Sequence, residues 1–208
     1  MRFGLFAALL GVFLAASPLR AQTIHILAFG DSLTAGLGLE PGQAFPARLE
    51  AALEARGHDI VISNAGVSGD TATAAAERLE WSLAPDIDGV IVELGANDAL
   101  RGIAPEATER ALDGILAELR RRRLPVLFAG MLAPRNLGAD YGKRFDAIFP
   151  RLAAKHGVLF YPFFLDGVAA EPAFNQPDGL HPNSKGVDMI VQRILPITED
   201  LLEQAASK

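Results

Sequence analysis

The chain has 208 residues, half of them hydrophobic, with a formal net charge of −6 and no cysteine. That length and apolar content suit one α/β domain with a buried core, and the acidic balance argues against binding nucleic acid or an anionic membrane by charge. Without cysteine there is no disulfide framework, no thiolate nucleophile, no Cys-ligated zinc and no lipid attachment at a thiol.

Met1 and Arg2 precede an apolar run from Phe3 to Ala16, then Ser17-Pro18-Leu19-Arg20-Ala21, which reads as a secretory signal peptide cut after Ala21. The run is short of the roughly 20 residues that span a bilayer, so no stable membrane insertion is expected after cleavage. Loss of Arg2 and Arg20 takes the formal charge from −6 to −8. Residues 22–208 are expected to form a single domain.

From Thr23 onward, short apolar runs alternate with longer amphipathic segments, the pattern of parallel strands joined by helical crossovers. Strands are expected over Ile24 to Phe29, Ile60 to Ser63, Gly89 to Leu94, Val126 to Gly130 and Val158 to Phe163. Helices are expected over Phe45 to Arg56, Thr73 to Leu83, Pro105 to Arg122 and Tyr141 to His156. A last helix, Ser184 to Gln204, should be kinked or split by Pro196. Arg120 to Arg123 are read as structural, because cations at a helix C-terminus complement its dipole.

The first three strands each run into a Gly- and Asn- or Asp-bearing segment: Gly30-Asp31-Ser32, then Asn64 to Asp70, then Gly95-Ala96-Asn97-Asp98. Singly these are ordinary turn and cap residues. Together they place a serine where an open parallel sheet binds ligands, beside three donors suited to an oxyanion: the N–H groups of Ser32 and Gly69 and the amide of Asn97. The serine needs a base. His58 stands in a turn, His25 at the wrong end of its strand and His156 at a helix C-terminus. His181 lies in a loop after the fifth strand, and Asp178, three residues earlier, could fix its tautomer and stabilise the imidazolium.

These segments resemble the four sequence blocks of the SGNH (GDSL) hydrolases, in order: Gly30-Asp31-Ser32-Leu33, Gly69, Gly95-x-Asn97-Asp98 and Asp178-x-x-His181. Asn64 to Thr71, Val92 to Gly95, Leu100-Arg101-Gly102 and Tyr141 to Arg144 are similar to the bacterial thioesterase, lysophospholipase and arylesterase branch. The resemblance implies a three-layer α/β/α sandwich, a flavodoxin-like five-stranded parallel sheet, and a serine esterase with Ser32, Asp178 and His181 as catalytic residues. It makes Ser32, Gly69 and Asn97 the oxyanion donors. Substrate contact is expected from Gly95, from Leu180 and from Pro134, in a loop over Met131 to Asp140 that aligns with the family's acyl-pocket segment but departs from it at Ala133 to Leu137.

The expected substrates are aryl or acyl esters and lysophospholipids. Acyl thioesters are less expected outside the cytoplasm, and a periplasmic or secreted monomer needing no cofactor and no metal follows. A carbohydrate O-acetyl esterase on the same scaffold is the near alternative. The G-x-S-x-G elbow is not matched, since Thr34 holds the second glycine's place. A phosphate- or nucleotide-binding module is disfavoured: no G-x-x-x-x-G-K-[ST] occurs, and Pro41 stands where Gly36-Leu37-Gly38 needs a third glycine.

Overall fold

In the computed structural model, which describes residues 23–207, five parallel strands form one sheet in the order β2-β1-β3-β4-β5. They are β1 Ile24–Gly30, β2 Ile60–Gly66, β3 Gly89–Glu93, β4 Val126–Ala129 and β5 Leu159–Tyr161. The proposed leader lies outside the described residues. Among those described, no helix is long and apolar enough to cross a membrane.

Strands buried on both faces read as near-continuous apolar runs, and β3 and β4 are buried at every position, apolar but for Glu93 at the end of β3. Helices α2 (Phe45–Glu54) and α8 (Ser184–Ala206) pack on each other over the sheet. Helices α3 (Ala72–Ser82), α5 (Pro105–Arg121) and α7 (Ile148–His156) form the other layer. The result is the expected α/β/α sandwich. Phe45 meets Phe164 edge-on at 5.0 Å between centroids, and Phe149 packs at 5.5 Å from both Phe128 and Phe145.

Four boundaries differ from expectation, each for a local reason. Strand β2 runs on to Gly66, because its pairing with β1 continues to Gly30 opposite Gly66. Strand β5 stops at Tyr161, before Pro162, which has no N–H for the ladder. The single helix expected over Tyr141 to His156 is two, α6 (Ala139–Asp146) and α7, joined at Ala147. Pro150 explains the break: it cannot donate to the Asp146 carbonyl, and its ring would clash there, so it is accommodated in the first turn of a new helix. Pro196, by contrast, does not split α8, which is assigned as one helix of 23 residues. Pro196 and Gln192, whose carbonyl loses its partner, are both exposed, so water can take the missing bond.

Two short helices, α1 (Ser32–Ala35) and α4 (Ala96–Leu100), follow strand ends closely, beginning two residues after β1 and three after β3. They follow β1 and β3, the neighbours between which the strand order reverses. That is where an open α/β sheet leaves a crevice.

Candidate active site

Ser32 is the first residue of α1, so its N–H has no acceptor within the helix. Asp31 caps this helix, its Oδ1 accepting from the Leu33 N–H at 3.0 Å. Gly30 permits the turn, since a Cβ there would stand 2.1 Å from Thr34 Oγ1 and 2.6 Å from the Glu93 carbonyl oxygen. Beneath the turn lies Glu93, directly across the ladder from Gly30 and wholly buried. Its Oε2 accepts from Thr34 Oγ1 at 2.7 Å, and its Oε1 has no hydrogen-bond partner. Burial, reinforced by the neighbouring Asp31 carboxylate, holds the Glu93 pKa well above the ordinary value.

Asp31 is also buried, and burial raises its pKa to about 6 against the hydrogen bonds from Leu33 and Asn97. The Asn97 amide donates to Asp31 Oδ2 at 3.1 Å. An amide carries two N–H donors, so this bond orients the group and leaves the second free for a ligand. Asn97 is placed by Gly95, whose φ of 113° lets β3 turn into α4. The buried Asp98 fixes the far side, accepting from the Ala72 N–H at 2.8 Å and from Thr108 Oγ1 at 2.9 Å.

His181 reaches Ser32 across 149 residues of chain: its Nε2 lies 2.9 Å from Ser32 Oγ, and its Nδ1 lies 2.6 Å from Asp178 Oδ2. With the proton on Nδ1 directed at Asp178, Nε2 is the acceptor facing the hydroxyl. Asp178 Oδ1 also accepts from the backbone N–H groups of Leu180 and His181. Those bonds, the His181 N–H foremost, pull the Asp178 pKa down to about 2, so it is ionised at any pH at which the protein would work.

The loop itself is pinned by amides. The Gln176 N–H donates to the His181 carbonyl at 2.7 Å, and Gln176 Nε2 donates to the carbonyls of Pro182 and Leu37. Asn183 caps α8 through the N–H groups of Lys185 and Gly186 and ties back to Ala173 and Asn175.

A cavity of about 570 Å³ opens here, lined by Ser32, Asn97 and His181 together with apolar side chains that include Met131, Pro134, Phe163 and Leu180. Pro134 and Leu180 therefore stand where substrate contact was expected. Gly95 does not: it is buried beside Phe149, whose Cζ lies 3.0 Å from the position a Cβ would take, and it is not part of the cavity wall. Its role is to turn the backbone. Gly69 also lies outside the wall, with φ of 89° and its carbonyl held by Arg101 Nη2 at 2.8 Å. The other three histidines are occupied elsewhere, His25 with Asp86, His58 with Glu199 and His156 with Asp113.

Arg78 was not anticipated. Its guanidinium sits 4.4 Å from the Phe29 ring centroid, bonds Asp70, and donates to the carbonyls of Gly30 and Ala65. It thus joins the end of β1 to the loop that carries Gly69. A charged residue inside the apolar run Gly89 to Leu94 was the one available hint for Glu93. Arg78 left no hint, because its partners come from three separate segments.

The family described as GDSL-like lipase/acylhydrolase matches residues 28–189. Esterase TesA of Pseudomonas aeruginosa is 34% identical over 203 residues, covering 97% of this chain and 100% of that protein. Thioesterase 1/protease 1/lysophospholipase L1 of Escherichia coli K12 is 38% identical over 164 residues, 78% of this chain and 76% of that one. Among solved structures, that of AlinE4, titled an SGNH-hydrolase family esterase, superposes with a TM-score of 0.73 at 46% identity, covering 87% of this chain and 97% of the other.

Proposed function

The chain belongs to the GDSL-like lipase/acylhydrolase family, and from that premise we propose that Ser32, His181 and Asp178 carry out ester hydrolysis at the cavity they line. The observation that carries this reading is the relay Ser32 Oγ to His181 Nε2 at 2.9 Å and His181 Nδ1 to Asp178 at 2.6 Å. Such geometry lets His181 take the hydroxyl proton as Ser32 attacks the ester carbonyl, while Asp178 stabilises the imidazolium. In this reading the oxyanion accepts from the Ser32 N–H and the free N–H of Asn97, which line the cavity, and from the Gly69 N–H, the donor that the resemblance to the family's sequence blocks assigns. Collapse expels the alcohol with the proton from His181 and leaves an acyl-serine. Water, deprotonated by the same imidazole, then releases the acid.

An apolar cavity of this size favours aryl esters and acyl chains over a bare acetyl group, so lysophospholipids and medium acyl esters come before carbohydrate acetates. Thioesters are included among its substrates on the strength of the name that the Escherichia coli relative carries. The chain acts as one domain from residue 22, exported on the leader read at Met1 to Ala21, in the periplasm or outside the cell.

The test is hydrolysis of p-nitrophenyl esters from acetate to palmitate, with Ser32→Ala as control. Loss of at least about a thousandfold in kcat is expected from removing the nucleophile. Turnover that survives Ser32→Ala would sink the mechanism, whatever the chain-length profile.

A further inference from the structure

Six large apolar side chains among the described residues are exposed; two of them line the cavity, and two more stand on segments hydrogen-bonded to its surroundings. Leu100 and Leu180, each 49% exposed, are part of the cavity lining. Leu37, 46% exposed, adjoins the His181 loop, because its carbonyl accepts from Gln176 Nε2 at 2.7 Å. Val67, 44% exposed, lies two residues before Gly69, whose carbonyl binds the arginine next to Leu100. Three loops, at residues 37, 67 and 180, and the end of α4 at residue 100 thus each present one aliphatic side chain to solvent at or beside a single opening. Scattered singly on a surface such residues mean nothing, but grouped at a site entrance they mark contact with something apolar.

The geometry points to this rim as a docking surface for an assembly of zwitterionic lipids, on which the enzyme sits while an ester passes from the assembly into the cavity. This rests on the esterase reading above. A protein seated on the same rim would cover the entrance, whereas a lipid assembly supplies substrate through it. The net charge of −6 selects the headgroup class, because an acidic protein is repelled by an anionic surface and not by a zwitterionic one. Arg101, beside Leu100, and Arg135, which lines the cavity, stand near the phosphates of such a surface.

The variants are Leu37→Ser and Val67→Ser combined, since neither residue lines the cavity. Binding is read first, by co-sedimentation of the Ser32→Ala protein with phosphatidylcholine vesicles, with and without the two rim substitutions. The rim substitutions should lower the partition coefficient by about tenfold, the scale of losing two partly buried aliphatic groups. Turnover is read second: on lysophosphatidylcholine above its aggregation concentration the rate should fall about tenfold, while kcat/KM on soluble p-nitrophenyl acetate stays within about twofold.

Equal sedimentation of both proteins, or none of either, overturns docking, as does an equal loss on both substrates. A dimer in sedimentation velocity that the rim substitutions abolish overturns it in favour of a second copy of the chain. Absence of Ser32-dependent turnover on every ester would defeat the esterase reading and leave the vesicle result to stand by itself.

Discussion

At the scale of single residues, three buried acids, Asp31, Glu93 and Asp98, stand beneath the three groups proposed to react. Asp31 orients Asn97, so Asn97→Ala should lower kcat about a hundredfold with KM little changed, as removal of a transition-state donor does. Steady-state kinetics on a p-nitrophenyl ester checks this, and an unchanged kcat removes Asn97 from the reaction. Asp31 also has a stability consequence. Its folded-state pKa, about 6, is raised above the ordinary value of 3.8, so its contribution is fully present below pH 4 and lost as pH rises through 6. Asparagine cannot ionise. The melting temperature of Asp31→Asn relative to the parent should therefore climb between pH 4 and pH 7, by the equivalent of on the order of 2–3 kcal/mol at most. Thermal unfolding at the two pH values reads it, and a flat difference would mean that Asp31 is not held protonated by burial. Ser32, Asn97, Asp178 and His181 were legible in the sequence because each sits in a short block whose residue types have few other uses in combination. Glu93 and Arg78 were not, since what makes them matter is register, Glu93 opposite Gly30 and Arg78 against Gly30 and Ala65.

At the scale of elements, each strand end is fixed by what its neighbour can pair with. Apolar runs and glycine stops located all five strands, while their lengths followed from ladders the sequence does not display, as β2 shows by running to Gly66. The two internal prolines teach the same lesson from opposite sides. Pro150 marks a helix break at a buried junction, where Ile148 and Phe149 have to turn inward. Pro196 leaves its helix whole because its side of α8 faces water. It still forfeits a backbone bond and is a poor helix former, so Pro196→Ala should stabilise the protein by about 1–3 kcal/mol. Denaturant unfolding checks this; a loss of stability would show that the ring packs productively where it stands. Restoring the bond should leave kcat alone, since Pro196 lies more than three helical turns beyond the His181 loop.

At the scale of the whole molecule, the order β2-β1-β3-β4-β5 gathers the segments around 32, 69, 97, 134 and 181 beyond the carboxyl ends of the strands. Alternation of strands and helices predicted parallel strands with helical crossovers, the resemblance to the family supplied the three-layer sandwich, and the crevice lies where the strand order reverses. The shape of the cavity was not predictable, because its walls come from the loops after β4 and β5, whose side chains meet only once the sheet has formed. Helix α8 packs across β1, β3, β4 and β5 and against α2. A chain ended at residue 172 should therefore lose cooperative unfolding as well as turnover, which calorimetry would detect; a sharp transition in that fragment would show that the sheet is stable without α8. Ser32 and His181, the proposed nucleophile and base, are 149 residues apart in the chain, and His181 comes second. A nascent chain carries Ser32 long before His181 can reach it, so the serine stays without its histidine until the last part of the chain has been made and folded.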